Sequence, residues 1–149
     1  MRVKDSRGVL LTEGLTLESV GATDAVGLNL SDLPWDRVDA ALRQQWIALI
    51  SRAGINPSLR PDWLEAAASA WGLLGSIRVA VFTRNGAVVA VIPFLLRKRR
   101  LSGLPVRTLE LAGNLVSYHQ EIVAGEDRVA FLEAFLAHAR RYPWDALVV

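Results

Sequence analysis

The dipeptide Asn85-Gly86 stands between two apolar runs and constrains the fold more than any other feature of the chain. Both residue types accept a positive φ, which a two-residue hairpin turn requires, so the dipeptide predicts two paired antiparallel strands. Before it, residues 77–82 alternate with the two-residue period of a strand. After it, residues 87–92 are apolar at every position, which predicts that the return strand is covered on both faces. We therefore expect a meander over residues 76–124 to organise the chain.

The meander is predicted to continue beyond this hairpin. Pro93 has no N–H to donate, which predicts a strand edge or a bulge at that residue. Residues 102–105, with the sequence Ser-Gly-Leu-Pro, predict a second turn, and residues 106–111 alternate again. Gly113 breaks that pattern, and a short further strand is expected near residues 121–124. Together these features predict three or four consecutive antiparallel strands.

Three helices are predicted around the meander. Asp36 is expected to cap the first, which Gly54 ends. Pro61 suits the first turn of the second, and Glu126 and Asp127 begin the third. Apolar residues at helical spacing predict the buried positions. These are Val38, Leu42, Trp46, Leu49 and Ala53 in the first helix, Trp63, Leu64, Ala67 and Trp71 in the second, and Val129, Leu132, Phe135, Leu136 and Ala139 in the third.

The two ends of the chain are predicted to differ. Residues 1–35 are expected to form a loose segment, with one possible strand within residues 9–20 and a loop over residues 21–34. Residues 144–149 predict a final strand, and the helix before it makes a crossover that should lay this strand parallel to an earlier one. Because the chain stops within an apolar strand, we expect an incomplete domain with an exposed Leu147–Val149 edge.

Composition limits the possible functions. The chain has 149 residues, of which 52% are hydrophobic, so it can bury a substantial core. It has no cysteine and only two histidines, so neither disulfides nor a metal site is expected. The net charge of +2 gives no reason to expect a nucleic acid partner. No apolar stretch is long enough for a membrane span and no signal peptide is apparent, which predicts a cytoplasmic protein.

Several polar and aromatic features have both a functional and a structural interpretation. The basic run Arg97–Arg100 suits an anionic partner, but a solvated hairpin end is favoured because few aromatic residues interleave with it. His138 is interpreted as a half-buried helix residue. The five tryptophans suggest a sugar-stacking surface, but packing is favoured because three of them lie on predicted core stripes.

The best candidates for substrate binding are Tyr118, His119 and Gln120. They follow the break at Gly113, where a meander can project polar side chains into a cleft. A tyrosine or histidine in that position can orient an amine or carry a proton. The alternative is a loop in which Tyr118 packs and His119 faces water. No catalytic residue can be assigned from the sequence.

Four stretches together resemble the N-terminal half of the CelD-like, or BioF-like, group of GNAT acetyltransferases, named for a cellulose-biosynthesis protein. They are Trp46 with its flanking helix, residues 56–64, the run from Ala90 to Leu109, and residues 117–123. The resemblance implies an α/β (α+β) fold with the order β-α-α-β-β-β(-β)-α-β and a mainly antiparallel central meander. Residues 36–149 would be a GNAT-like N-terminal domain.

The resemblance also implies a function. Complete members look like two GNAT halves in tandem, which transfer an acyl group from acetyl-CoA to an amine, with the CoA site in the C-terminal half. CoA-binding halves carry a loop of the form Gln/Arg-x-x-Gly-x-Gly/Ala, whose backbone N–H groups hold the pyrophosphate. The corresponding junction here, residues 123–128, has one glycine and two carboxylates. We therefore expect no cofactor in this chain.

Two hypotheses follow. In the first, the chain is the non-CoA-binding half of an N-acyltransferase linked to polysaccharide biosynthesis, and it is inactive alone. Its partners would be the C-terminal half and a small amine acceptor. In the second, it is a non-catalytic assembly module that forms homo-oligomers by pairing the Leu147–Val149 edge with another chain.

Overall fold

Residues 27–115, 122–125 and 127–148 are described by a computed structural model. Within them lie six strands and three helices, joined in places by short 3₁₀ turns. The elements are β1 (Leu28–Pro34), α1 (Ala40–Ala53), α2 (Pro61–Ala70), β2 (Ile77–Arg84), β3 (Ala87–Leu101), β4 (Leu104–Leu111), β5 (Val123–Ala124), α3 (Arg128–Ala139) and β6 (Ala146–Val148). This order confirms the predicted α/β fold class. The strand expected within residues 9–20 lies outside the described residues.

The strands form one sheet with the order β1-β2-β3-β4-β6, in which β5 pairs with β3. All pairs are antiparallel except β4 with β6, which is parallel, as the crossover through α3 predicts. The predicted turn joins β2 to β3, with φ values of 52° at Asn85 and 79° at Gly86. The sequence patterns therefore place the centre of the sheet correctly.

One side of β3 is shared by two strands. Phe94 pairs with Leu111 of β4, so an unbroken ladder would bring Val91, three residues earlier, opposite residue 114. Val91 instead pairs with Val123 of β5, nine residues later. Thus β5 pairs with β3 in line with β4. Between the two strands the chain leaves the sheet at Ala112. The strand predicted near residues 121–124 exists, but it continues the line of β4.

Pro93 lies within a central strand, so the predicted strand edge is wrong. The ladder with β2 passes through it, since Pro93 pairs with Val79. On the other side of β3, Pro93 falls between the residues that pair with β5 and those that pair with β4. The interruption of the ladder at this point accommodates a residue that has no N–H.

The helices cover opposite faces of the sheet. One hydrophobic cluster joins α1 and α2 to one face of β2 and β3, and includes Trp46, Leu49 and Leu64. A second joins α3 to the opposite face through Phe82, Phe94 and Phe135, among others. Because the first half of β3 lies between the two clusters, the prediction that it is covered on both faces is confirmed.

Two predictions at the start of the chain are wrong. Residues 28–34, expected to be loop, form β1, which pairs with β2 along its whole length. Asn29 and Ser31 are exposed on the wetter face of β1, which is an edge strand among the described residues. The Asp32 side chain is buried and forms a salt bridge with Arg78. Asp36 lies in a 3₁₀ turn, and Asp39 caps α1 instead, with its carboxylate accepting from the Leu42 N–H at 2.8 Å.

The predicted burial of α2 and α3 is also partly wrong. Trp63 is 59% exposed, Trp71 is 66% exposed and Val129 is 71% exposed. The helical period is right, and Leu64, Phe135 and Ala139 are buried as predicted, but each predicted stripe also includes exposed positions. Each helix packs through a narrower stripe, which consists of Pro61, Leu64 and Ala68 in α2 and of Phe131, Phe135 and Ala139 in α3.

Candidate functional site

The first turn of α3 lies beside a pocket of about 220 Å³. This turn follows the junction, residues 123–128, that the resemblance aligns with the phosphate loop of CoA-binding halves. Only residues 125–127 connect β5 to α3. The cleft is lined by Leu49, Arg52, Arg84, Val89, Gly125, Asp127 and Phe131.

The charges in this pocket come from three separate elements. Arg52 lies in the last turn of α1, Arg84 ends β2, and Asp127 precedes α3. Asp127 has a φ of 48°, and its carboxylate does not cap the helix. The backbone N–H groups of the first turn, which carry the positive end of the helix dipole, therefore lie beside a carboxylate and two guanidinium groups.

Arg52 and Arg84 were not predicted as site residues. They lie 32 positions apart and belong to no motif, so only the folded topology brings them together. Asp127 was not predicted as a site residue either; the sequence analysis identified it as one of two carboxylates that disfavour CoA at this junction. The junction has two acidic residues in sequence, Glu126 and Asp127, and the pocket has two arginines, Arg52 and Arg84.

The predicted substrate-binding residues Tyr118, His119 and Gln120 lie outside the described residues. The structure shows where their segment begins and ends. It leaves the sheet after β4, through a 3₁₀ turn at Ala112–Leu115, and returns to it at β5. The proposed role of these three side chains stays a prediction.

A second polar cluster surrounds Asp32 on β1. Its side chain has no exposed surface. It accepts hydrogen bonds from Arg78 of β2 and from Arg141, and its two oxygens lie 2.8 Å from the Tyr142 hydroxyl. His138 Nε2 lies 2.6 Å from Oδ2. Burial raises the pKa of Asp32, but the hydrogen bonds from Arg78, His138 and Tyr142 outweigh burial and hold this pKa well below its usual range.

The Asp32 cluster connects the end of α3 to the edge of the sheet. Sequence reasoning assigned His138 to a half-buried position, which is correct, but did not find its partner 106 residues away. Because every group around the carboxylate is a hydrogen-bond donor and the carboxylate is buried, the cluster is organised as a structural ion-pair network.

The basic run at the end of β3 is partly neutralised by Glu110 of β4. Glu110 is 5% exposed, and Arg99 donates to both of its oxygens, at 2.5 and 2.8 Å. The Thr108 hydroxyl donates to the same carboxylate at 2.7 Å. Burial raises the pKa of Glu110, but these hydrogen bonds outweigh burial and lower it. The run is therefore in part a cross-strand ion pair, which supports the structural interpretation.

Comparisons with known proteins give matches in structure only. No protein-family model matches the chain, and no curated protein matches it significantly. Similar solved structures include a ribosomal-protein-alanine N-acetyltransferase from Brucella melitensis biovar Abortus 2308, with 14% identity, a TM-score of 0.48, and coverage of 81% of this chain and 77% of the other. Among the described residues, no helix combines the length and hydropathy needed to cross a membrane.

Two further similar structures are aminoglycoside acetyltransferases. One comes from an uncultured soil metagenomic sample, with 14% identity, a TM-score of 0.49, and coverage of 82% and 78%. The other, AAC(6')-Iy in complex with CoA, has 12% identity, a TM-score of 0.46, and coverage of 81% and 74%. These values describe a partial likeness in chain path.

Proposed function

We propose that this chain is the acceptor-side, non-CoA-binding half of a GNAT-type N-acyltransferase, which moves an acyl group from acyl-CoA to an amine. In this proposal the amine attacks the thioester directly, and a backbone N–H of a second, CoA-binding unit stabilises the oxyanion. The present chain shapes the acceptor side of the cleft and braces the other unit. The resemblance to CelD-like proteins suggests that the acceptor belongs to polysaccharide biosynthesis.

The element order supports the GNAT-type part of the proposal. Two helices precede a three-stranded antiparallel meander, and α3 then leads into β6, which lies parallel to β4. This is the order that the resemblance implies. The candidate acceptor residues Tyr118, His119 and Gln120 lie in sequence between β4 and β5. The next element after β5 is α3, whose first turn lies beside the pocket.

The main support for the proposal that this chain does not bind CoA is the charge beside the first turn of α3. A pyrophosphate needs free backbone N–H groups and a net positive surrounding. The Asp127 carboxylate lines the pocket together with Arg52 and Arg84, and Glu126 precedes it in sequence. Asp127 offsets one of the two arginines in the lining, and Glu126 adds a second negative charge to the same short connection in sequence, so little net positive charge is left to attract a polyphosphate. A three-residue connection with one glycine also offers little loop to wrap around phosphates.

Calorimetric titration of the full chain with acetyl-CoA tests this proposal. We expect no saturable heat at ligand concentrations up to about 1 mM, which corresponds to a binding free energy weaker than about −4 kcal/mol. The double variant Glu126→Gln/Asp127→Asn leaves the two arginines uncompensated, and asparagine tolerates the positive φ at position 127. This variant should bind CoA more tightly than the natural chain.

Micromolar binding by the natural chain would contradict the proposal. The matched variant Arg52→Ala/Arg84→Ala then identifies the location. Loss of binding in this variant would show that the α3 pocket is a phosphate site.

The edge of the sheet favours a second candidate function, that of an assembly module. Among the described residues, β6 pairs with β4 on one side and with no strand on the other. Leu147 and Val148 are only half-buried. In this alternative, another chain adds a strand beside β6. A stable dimer whose β6 amides become protected from hydrogen exchange would support it.

A further inference from the structure

The pocket beside the first turn of α3, here called the α3 pocket, lies at a gap in the sheet. Strand β5 has two residues, and its last pair with β3 joins Ala124 to Ala90. Among the described residues, the start of β3 (residues 87–89) therefore has no strand beside it on that side. Helix α1 closes part of the gap, since the side-chain oxygen of Gln45 accepts from the Val88 N–H at 3.2 Å. The space that is left is bordered by α1 and by α3.

A β-bulge places one residue of β3 at this pocket. Val89 is passed over in the register of β2 and β3, because its neighbours Val88 and Ala90 pair with consecutive residues of β2. Such bulges redirect side chains locally and are frequent beside functional sites. Val89 lines the pocket together with Leu49 of α1 and Phe131 of α3. We call these three residues the apolar floor.

The same pocket carries charges of both signs. Arg52, Arg84 and Asp127 line it, and all three residues are exposed. In the part of the chain that the structure describes, none of the three belongs to a salt bridge. Opposite charges that share a small pocket without pairing are available to a ligand of mixed charge. An apolar floor with a few polar groups around it is the usual composition of a small-molecule site.

We infer that the α3 pocket binds a small α-amino acid with an apolar side chain. The guanidinium groups of Arg52 and Arg84 hold its carboxylate, for which their planar forks of donors are suited. The Asp127 carboxylate accepts hydrogen bonds from its ammonium group, and its side chain lies on the apolar floor. The binding itself does not depend on the proposed function. The further step of assigning this ligand as the amine acceptor rests on that function.

Size and charge favour this class of ligand over others. The volume of about 220 Å³ is below the roughly 300–1,000 Å³ of sites for drug-sized ligands, which suits a molecule of amino acid size. A phosphate ester would bring its negative charges beside Asp127. A simple amine would leave both arginines without a partner. A zwitterion satisfies both signs at once.

A chemical-shift titration of the ¹⁵N-labelled full chain with four ligands tests the inference. L-leucine has both charges and an apolar side chain, whereas N-acetyl-L-leucine lacks the ammonium group, L-leucinamide lacks the carboxylate and glycine lacks the side chain. We expect L-leucine to shift the amides of Val89 and Gly125 saturably, with a Kd below about 1 mM, an affinity within reach of a ligand of about nine non-hydrogen atoms. Each of the other three should bind at least about tenfold more weakly.

Two variants show which charge holds which group. Asp127→Asn should lose the preference for L-leucine over N-acetyl-L-leucine and keep the preference over L-leucinamide. Arg52→Ala/Arg84→Ala should give the reverse. A general loss of structure would weaken all the ligands alike and cannot give this pattern. The controls Glu133→Gln and Arg100→Ala remove the same charges outside the pocket lining and should leave all four affinities unchanged.

Three results would overturn the inference. They are no saturable shift with L-leucine up to about 10 mM, binding of N-acetyl-L-leucine as tight as that of L-leucine, and binding of inorganic phosphate at the same amides more tightly than L-leucine. Acetyl-CoA, titrated separately, tests the proposed function. If neither L-leucine nor acetyl-CoA binds, the inference fails and the proposed lack of CoA binding stands. If both bind with the expected selectivity, the inference holds and the proposed lack of CoA binding fails.

Discussion

At the scale of single residues, Asp32 ties the end of α3 to the edge of the sheet. Its buried carboxylate accepts from Arg78, Arg141 and Tyr142. The isosteric substitution Asp32→Asn removes the charge and leaves the two guanidinium groups without their partner. We expect it to lower the free energy of unfolding by about 3 kcal/mol or more, measured by urea denaturation.

The control for this prediction is Asp62→Asn. Within the described part of the chain, Asp62 forms a salt bridge with Arg60 alone, and both side chains are exposed, so the loss should stay below about 1 kcal/mol. Equal effects of the two substitutions would show that the Asp32 network adds nothing beyond a surface ion pair.

The pH dependence of stability is a separate prediction at this scale. The folded-state pKa of Asp32 lies below its ordinary value of 3.8. Its stabilising contribution is therefore complete above that pH and is lost as the pH falls below it. Thermal melts between about pH 5 and pH 2 should show a smaller loss of stability in Asp32→Asn than in the natural chain. A parallel loss in both proteins would contradict the assigned role.

At the scale of elements, the β2–β3 hairpin depends on the backbone conformation of Gly86. Its φ is 79°, and an added Cβ would meet nothing within 4 Å. The cost of Gly86→Ala is therefore conformational, and we expect a destabilisation of about 1–2 kcal/mol by urea denaturation. Gly75→Ala is the matched control, since Gly75 also has open space but no positive φ, and it should be neutral or slightly stabilising. A neutral Gly86→Ala would show that the turn is not held in this conformation.

The elements also show which structural features sequence patterns can predict. The Asn85-Gly86 turn and the end of α1 at Gly54 depend on local backbone conformation, so the sequence predicts both. Burial on a helix depends on the neighbour it packs against. For that reason the period of α2 was predictable but the exposure of Trp63 and Trp71 was not. The strand β1 was missed because an edge strand with alternating polar residues resembles a loop.

At the scale of the whole molecule, the candidate site combines predicted and unpredicted parts. The α3 junction with Asp127 follows from the resemblance and the local sequence. The arginines that line the pocket come from α1 and β2, and their presence at one pocket depends on long-range topology. The same is true of the bond between His138 and Asp32. No periodicity encodes such pairs, because they form only when distant elements meet.

The central proposal is that the first turn of α3 does not hold coenzyme. Amide chemical shifts of the ¹⁵N-labelled full chain, followed during titration with acetyl-CoA, test it most directly. We predict that the amides of Gly125, Val129 and Phe131 keep their positions up to about 1 mM ligand. Saturable shifts concentrated at these residues would contradict the claim and assign the coenzyme site to this chain.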